Sequence, residues 1–106
     1  MNNISLKEAL QEFNKERDWD QFHTPENLAK SISIEAGELL ECFQWDDKIE
    51  LEEVCDEMAD VYSYLVMLAD RLDVDLDEIA FAKLQKNIEK YPAEKARGKS
   101  TKYDKL

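Results

Sequence analysis

Two long segments in the middle of the chain carry apolar residues at every third or fourth position, the spacing of a helix that buries one face. On a helical wheel, the apolar side chains of each segment fall in one arc, with a row of carboxylates along one edge of that arc. Since a short connection separates the segments, we expect two antiparallel neighbouring helices. The arcs contain Leu28, Ala29, Ile32, Ala36, Leu39, Leu40 and Phe43 in the first segment, and Leu51, Val54, Met58, Val61, Tyr62, Leu65, Leu68 and Leu72 in the second.

Helix start signals add a helix before these segments and set the start of the first of them. Ser5 followed by Glu8 has the spacing of a capping box, which predicts a helix from there to about Asp18. The threonine and proline at positions 24–25 supply a cap and a first helical residue. They predict a second helix that continues to about Phe43.

Similar signals define the remaining helices. Asp46 or Asp47 can cap a third helix that continues to about Leu72. Asp75 can cap a fourth, which we expect to end near Tyr91–Pro92 because proline cannot continue a helix.

These elements predict an all-α fold with a four-helix bundle-type protomer. No segment shows the two-residue alternation of a strand over a useful length. Residues 1–92 form the predicted domain. Residues 93–106 are polar, basic and without apolar periodicity, which predicts a mobile C-terminal tail.

Composition narrows the functional classes. The chain has 106 residues, with 25 Asp and Glu against 14 Lys and Arg, for a net charge of −11. This charge argues against nucleic-acid polymers as partners, because their phosphates would be repelled. No apolar run approaches the roughly 20 residues of a membrane-spanning helix, and no signal peptide is visible, so we expect no membrane partner. Cys42 and Cys55 form no ligand cluster, which predicts reduced thiols in a cytoplasmic protein.

The charge is unevenly distributed. Residues 35–60 contain eleven acids and one base, Lys48, whereas from Lys83 onward eight bases face three acids. An acidic centre and a basic end suit a ligand that needs both signs, such as a metal-bound phosphate. The alternative is a solvated acidic face followed by a soluble tail.

Four acids in the central segments have a spacing that can serve a metal. Glu35 and Glu38 are three residues apart, as are Glu57 and Asp60, so each pair shares a helix face. Packing the two helices would bring four carboxylates to one rim, where they repel unless a proton or a cation intervenes. Carboxylate oxygens suit Mg²⁺, which also keeps waters and substrate phosphates. A solvent-facing helix surface is the alternative for this pattern.

The same region resembles a known family. Residues 35–45 (EAGELLECFQW) and 56–61 (DEMADV) resemble the MazG-type nucleoside triphosphate pyrophosphohydrolases of the all-α superfamily. Residues 17–25 (RDWDQFHTP) and 83–92 (KLQKNIEKYP) are similar to the dCTP pyrophosphatase branch. One departure is Ile34, which stands where the common family motif has an additional glutamate.

The resemblance implies a MazG-like fold completed by dimerisation, in a homodimer or homotetramer. It also implies Mg²⁺-dependent cleavage between the α and β phosphates of a nucleotide, giving a monophosphate and pyrophosphate. By match of motif, the metal ligands would be Glu35, Glu38, Glu57 and Asp60. Glu38 or Glu35 would also act as the catalytic base. The substrate-binding residues would be Trp19, His23 and Trp45 at the base and sugar, and Lys83, Asn87 and Tyr91 at or near the phosphates.

Two hypotheses of different classes result. In the first, the protein is a house-cleaning dNTP pyrophosphohydrolase that favours dCTP, with a pocket completed across a subunit interface. In the second, it is a non-catalytic helical oligomerisation or interaction module whose acidic face binds a basic partner. Under the second hypothesis Trp19 and Trp45 are core or interface aromatics, and His23 is a structural surface residue.

Overall fold

The computed structural model describes residues 4–45 and 48–106, and it confirms the all-α prediction. No strand occurs within these ranges. The chain divides into two compact units, one up to Val74 and the other from Asp75 to Leu106. Short 3₁₀ turns cover Asp20–Phe22 and Tyr103–Lys105. The helices are α1 (Leu6–Glu16), α2 (Pro25–Glu41), α3 (Leu51–Arg71), α4 (Leu76–Lys90) and α5 (Ala93–Ala96).

Three of the predicted helix caps are present. The Ser5 hydroxyl accepts a hydrogen bond from the backbone of Glu8 and donates one to its carboxylate, both at 3.1 Å. Thr24 caps α2 by accepting from the backbone of Asn27, and Asp75 caps α4 in the same way. The local sequence therefore determines where these helices begin.

The third helix begins later than predicted. Its N-cap position is Glu50, which makes no side-chain capping bond, and the first helical residue is Leu51. The predicted caps Asp46 and Asp47 lie outside the described residues. Two acids in the first turn, Glu52 and Glu53, favour the helix start through the helix dipole instead.

Two helices end in the same way, at an aspartate with left-handed backbone. Asp18 has φ 54° and Asp73 has φ 56°. After each, the chain closes a Schellman motif, in which the backbone N–H of Trp19 donates to Asn14 and that of Val74 donates to Ala69. This geometry ends α1 at Glu16, two residues before the predicted end. The second helix also ends early, at Glu41, with a turn following.

In the first unit α3 packs against both α1 and α2. Side-chain hydrogen bonds join Gln11 to Asp70 (2.9 Å) and Asn14 to Met67 (3.5 Å). Because residue numbers increase along α1 while those of their partners decrease along α3, the two helices are antiparallel. Among the described residues, the buried apolar side chains are Leu28, Val54 and Ala69.

Much of the predicted apolar stripe is therefore not buried. Met58 and Tyr62, which the wheel assigned to the core arc of α3, are each more than half exposed. The wheel identified an apolar face correctly, but α1 and α2 leave part of that face uncovered. Among the described residues, none of the helices combines the length and the hydrophobicity that spanning a bilayer requires.

The second unit contains α4, α5 and the C-terminal segment. Tyr91 ends α4, and its ring meets the Tyr103 ring edge to face at 6.2 Å. Gly98, with φ 75°, adopts the left-handed conformation between these two residues. The segment predicted as a tail thus contains a short helix and a 3₁₀ turn. The predicted domain limits, 1–92 and 93–106, stay a prediction.

Candidate metal centre and aromatic pocket

Three of the four predicted metal ligands share one location. α2 supplies Glu35, and α3 supplies Glu57 and Asp60 one turn apart. One carboxylate oxygen from each of the three lies within 4.8 Å of the others. The carboxylate edges that the helical wheel predicted on both helices therefore meet where α2 and α3 pack.

These carboxylates lack the partners that usually stabilise buried charge. Oε2 of Glu35 and Oε2 of Glu57 are buried without a hydrogen-bond partner among the described residues. Burial raises the pKa of Glu35 from 4.5 to about 7, helped by a hydrogen bond to Glu38 and by the charges of Glu38, Asp60 and Glu57. Burial and the Glu38 carboxyl also raise the pKa of Glu57. A cation would relieve both the repulsion and the missing contacts.

Glu38 occupies a different position from the other three acids. Its carboxyl contributes to the raised pKa of both Glu35 and Glu57, so it lies close to both of them. It also lines an adjoining cleft of about 390 Å³ with Cys42 and four more acids. Burial, followed by the charges of Glu57 and Glu53, raises the pKa of the Cys42 thiol, which makes this cysteine a poor nucleophile.

The donor set fits a hard divalent cation. All of the atoms are carboxylate oxygens, the ligands that Mg²⁺ and Ca²⁺ prefer. Two of the three carboxylates present an unpartnered buried oxygen, which is what a cation ligand offers before the ion arrives. Their assignment as metal ligands stays a prediction.

An aromatic pocket adjoins the acids. It has a volume of about 420 Å³ and is lined by Phe13, Trp19 and Tyr64, together with His23. Asp60 lines the same pocket, so one residue belongs both to the acidic cluster and to the pocket wall. The volume and apolar lining are those of a site for a small organic ligand.

Aromatic contacts order the pocket wall. The Phe13 and Trp19 rings meet edge to face, with centroids 5.5 Å apart. The His23 and Tyr64 rings do so at 6.5 Å. Each contact joins a residue of the segment between α1 and α2 to a helix, so the wall is built from three elements of the first unit.

Of the residues that line this pocket, sequence reasoning had named Trp19, His23 and, as a metal ligand, Asp60, but none of the others. Tyr64 follows Asp60 by four positions on α3 and so shares its helix face, which was a usable signal. Phe13 and Asn14, on α1, carry no comparable signal because their sequence neighbourhood is ordinary for an amphipathic helix.

The other predicted substrate residues lie elsewhere in the chain. Trp45 is 75% exposed and lines neither this pocket nor the acidic cleft. Lys83 and Asn87 share one face of α4, and Tyr91 is its C-cap, all in the second unit. Their role near the phosphates stays a prediction.

The fold and the site together define a class: an all-α protein with a carboxylate centre beside an aromatic pocket. The chain belongs to the MazG-like family, whose sequence model matches residues 30–106.

Individual relatives agree with this assignment. The chain is 42% identical over 108 residues to dCTP pyrophosphatase 1 of Homo sapiens and 40% identical over 105 residues to that of Mus musculus. Each alignment covers 90% of this chain and 62% of the relative, so the chain spans less than two thirds of the length of these relatives. The crystal structure of a pyrophosphatase from Archaeoglobus fulgidus matches with a TM-score of 0.74 and 40% identity, covering 87% of this chain and 98% of that one.

Proposed function

We propose that the protein hydrolyses deoxynucleoside triphosphates between the α and β phosphates, with Mg²⁺, to a monophosphate and pyrophosphate. dCTP is the proposed preferred substrate, in a house-cleaning role in the cytoplasm. The observation that carries the proposal is the junction at Asp60, where a carboxylate cluster adjoins an aromatic pocket of nucleoside size. The names of the relatives, dCTP pyrophosphatase 1 and pyrophosphatase, support it.

The acids divide into two roles in this proposal. Glu35, Glu57 and Asp60 would hold Mg²⁺, with Glu38 beside them. When bound, the ion would polarise the α phosphate and lower the pKa of a coordinated water. Glu38 is our proposed base, in preference to Glu35, because it lies outside the group of three that converges within 4.8 Å.

The pocket would bind the base and sugar. Trp19 and His23, with Phe13 and Tyr64, offer aromatic surfaces on which a flat base can stack. Because Asp60 lines the pocket, a nucleoside bound there would direct its phosphates toward the acids.

Residues outside this pocket complete the proposal. Trp45 is proposed to reach the base from a partner subunit, since its side chain is largely exposed. Lys83 and Asn87 are proposed to contact phosphate oxygens, with Tyr91 close by. The positive charge of Lys83 would offset charge on the leaving pyrophosphate.

We also propose that the protein is a homodimer or a homotetramer. Leu40 on α2 is 71% exposed and Leu51 on α3 is 74% exposed, on helices that also expose Met58 and Tyr62. Uncovered apolar area on this scale favours a second copy of the chain as its cover. Light scattering during size-exclusion chromatography should give at least twice the 12.4 kDa chain mass. A fully active monomer at working concentration would refute this.

The deciding experiment incubates the purified protein with each dNTP and NTP, in Mg²⁺ or in EDTA, and separates the products. We expect monophosphate and pyrophosphate, formed only with Mg²⁺, and fastest from dCTP. If the products were a nucleoside diphosphate and orthophosphate, the proposed metal site would stand, but the cleaved bond would be the one between the β and γ phosphates. If a folded, oligomeric protein turned over no nucleotide, the non-catalytic interaction module would become the better hypothesis.

A further inference from the structure

The segment between α1 and α2, residues 17–24, is hydrogen-bonded to α3 through one side chain, in addition to the ring contact of His23 with Tyr64. Arg71, the last residue of α3, donates from Nε to the carbonyl of His23 at 2.7 Å. It also donates from Nη2 to the carbonyl of Asp20 at 3.2 Å. One guanidinium therefore binds both ends of the 3₁₀ turn that connects Trp19 to His23.

The other side-chain hydrogen bonds of this segment are local. Gln21 donates to Asp18, and Asn27 donates to the carbonyl of Phe22. These bonds shape the turn but cannot set its position relative to α3. In the described part of the chain, the hydrogen bonds that join the segment to a distant element both come from Arg71.

The position of Arg71 on α3 gives this attachment a consequence. Asp60, Tyr64, Met67 and Arg71 follow one another at intervals of four, three and four residues, which places them along one helix face. The first three line the aromatic pocket, and the fourth holds the segment that supplies Trp19 and His23 to the same pocket. The helix α3 thus carries both Asp60 of the acidic cluster and the side chain that holds the His23 carbonyl.

We infer that Arg71 is a positioning residue for nucleotide binding. It holds Trp19 and His23 at the distance from Asp60 that a nucleoside triphosphate requires, without contacting the substrate itself. This inference rests on the proposed function, since it concerns the pocket in which the base would bind. A lysine cannot reproduce the contact well, because its single ammonium lacks the planar fork that reaches two separate carbonyls.

The test compares Arg71→Ala and Arg71→Lys with Lys30→Ala, which removes a positive charge from an exposed position on α2. We expect Arg71→Ala to raise KM for the best dNTP about tenfold, as for one or two lost hydrogen bonds that order a binding loop. We expect a smaller rise for Arg71→Lys. The value of kcat and the Mg²⁺ concentration for half-maximal rate should change by less than about twofold, because the acids are untouched. Hydrogen exchange should accelerate at amides of residues 18–24 in both variants.

The possible results separate the two proposals. An unchanged KM in a wild-type enzyme that does hydrolyse nucleotides would overturn the role of Arg71 alone. A fall in kcat with a higher Mg²⁺ requirement would also overturn it, since Arg71 would then be acting on the acids. If the wild type turned over no nucleotide, both proposals would fail together. Should Arg71→Ala fail to fold, the KM and exchange data for Arg71→Lys decide.

Discussion

The acidic edge between α2 and α3 and the segment between α1 and α2 differ in which of their polar groups have hydrogen-bond partners. At the acidic edge, Glu35 and Glu57 each keep a buried oxygen without a partner, and their pKa values are raised. In the segment, the carbonyls of Asp20, Phe22 and His23 all accept side-chain hydrogen bonds. Among the described residues, the acidic edge leaves carboxylate oxygens without partners, whereas the segment has these backbone carbonyls bonded and leaves Nδ1 of His23 as its buried atom without a partner.

This difference matches what each region would do. A loop that forms the wall of a pocket gains from being ordered before the ligand arrives, because ordering then costs nothing at binding. A cation site must instead present negative charge that nothing else neutralises, and this weakens the folded state until an ion binds. The carboxylate cluster therefore lowers the stability of the folded protein when no cation is bound, and a bound divalent cation would restore it.

The largest expected effect comes from removing one carboxylate of the cluster. Glu57→Gln keeps the size and shape of the side chain but eliminates its charge. We expect turnover to fall by more than about a hundredfold, because a carboxylate ligand of the proposed metal is lost. The melting temperature in EDTA should stay the same or rise, because like-charge repulsion is reduced.

The matched control is Glu52→Gln, which removes the same charge from an exposed position in the first turn of α3. It should leave turnover within about twofold. Retained turnover in Glu57→Gln, or an equal loss in Glu52→Gln, would reject the assignment of the site.

The two regions were not equally predictable from sequence. Glu35, Glu57 and Asp60 could be placed together because residues three apart on neighbouring helices must meet once the apolar stripes pack. Trp19 and His23 were found through family resemblance. Tyr64 was not singled out from the sequence, although it lies one turn from Asp60.

The other features that the sequence did not predict were missed for physical reasons. The unequal positions of Glu38 and its neighbours depend on distances of a few ångströms between helices, which residue spacing does not determine. The carbonyls that Arg71 binds lie about 50 positions earlier in the chain, so no local sequence pattern predicts this contact. The exposure of Met58 and Tyr62 could not be foreseen, because a wheel identifies an apolar face without saying what covers it.

A second effect should appear in the pH dependence of stability without metal. The pKa of Glu35 is raised from 4.5 to about 7, so between these values the folded protein binds more protons than the unfolded chain. Stability should therefore be greater near pH 5 and decline as pH rises through about 7. Glu57, whose pKa is also raised, should add to the decline.

Thermal melts in EDTA from pH 5 to 8 measure this slope, with Glu35→Gln as the matched variant. The variant should show a shallower decline than the wild type, because the titrating carboxyl is gone. Saturating Mg²⁺ should also reduce the decline in the wild type, since the ion competes with the protons for the same oxygens. Equal slopes in the wild type and Glu35→Gln would show that the raised pKa does not govern stability.

The smallest expected effect sharpens the comparison at the two left-handed aspartates. Asp73 makes no side-chain hydrogen bond among those described, whereas the Asp18 carboxylate accepts one from Gln21 at 2.9 Å. Glycine adopts positive φ without the Cβ penalty, so Asp73→Gly should stabilise the protein by roughly 0.5 kcal/mol, about 2–4 °C in melting temperature. Asp18→Gly should gain less, because the same relief is offset by the lost contact with Gln21. Denaturant unfolding of both variants measures the difference in the free energy of unfolding. A larger gain for Asp18→Gly than for Asp73→Gly would contradict this expectation. It would mean that the backbone of the segment carrying Trp19 and His23 is strained, although its carbonyls are hydrogen-bonded.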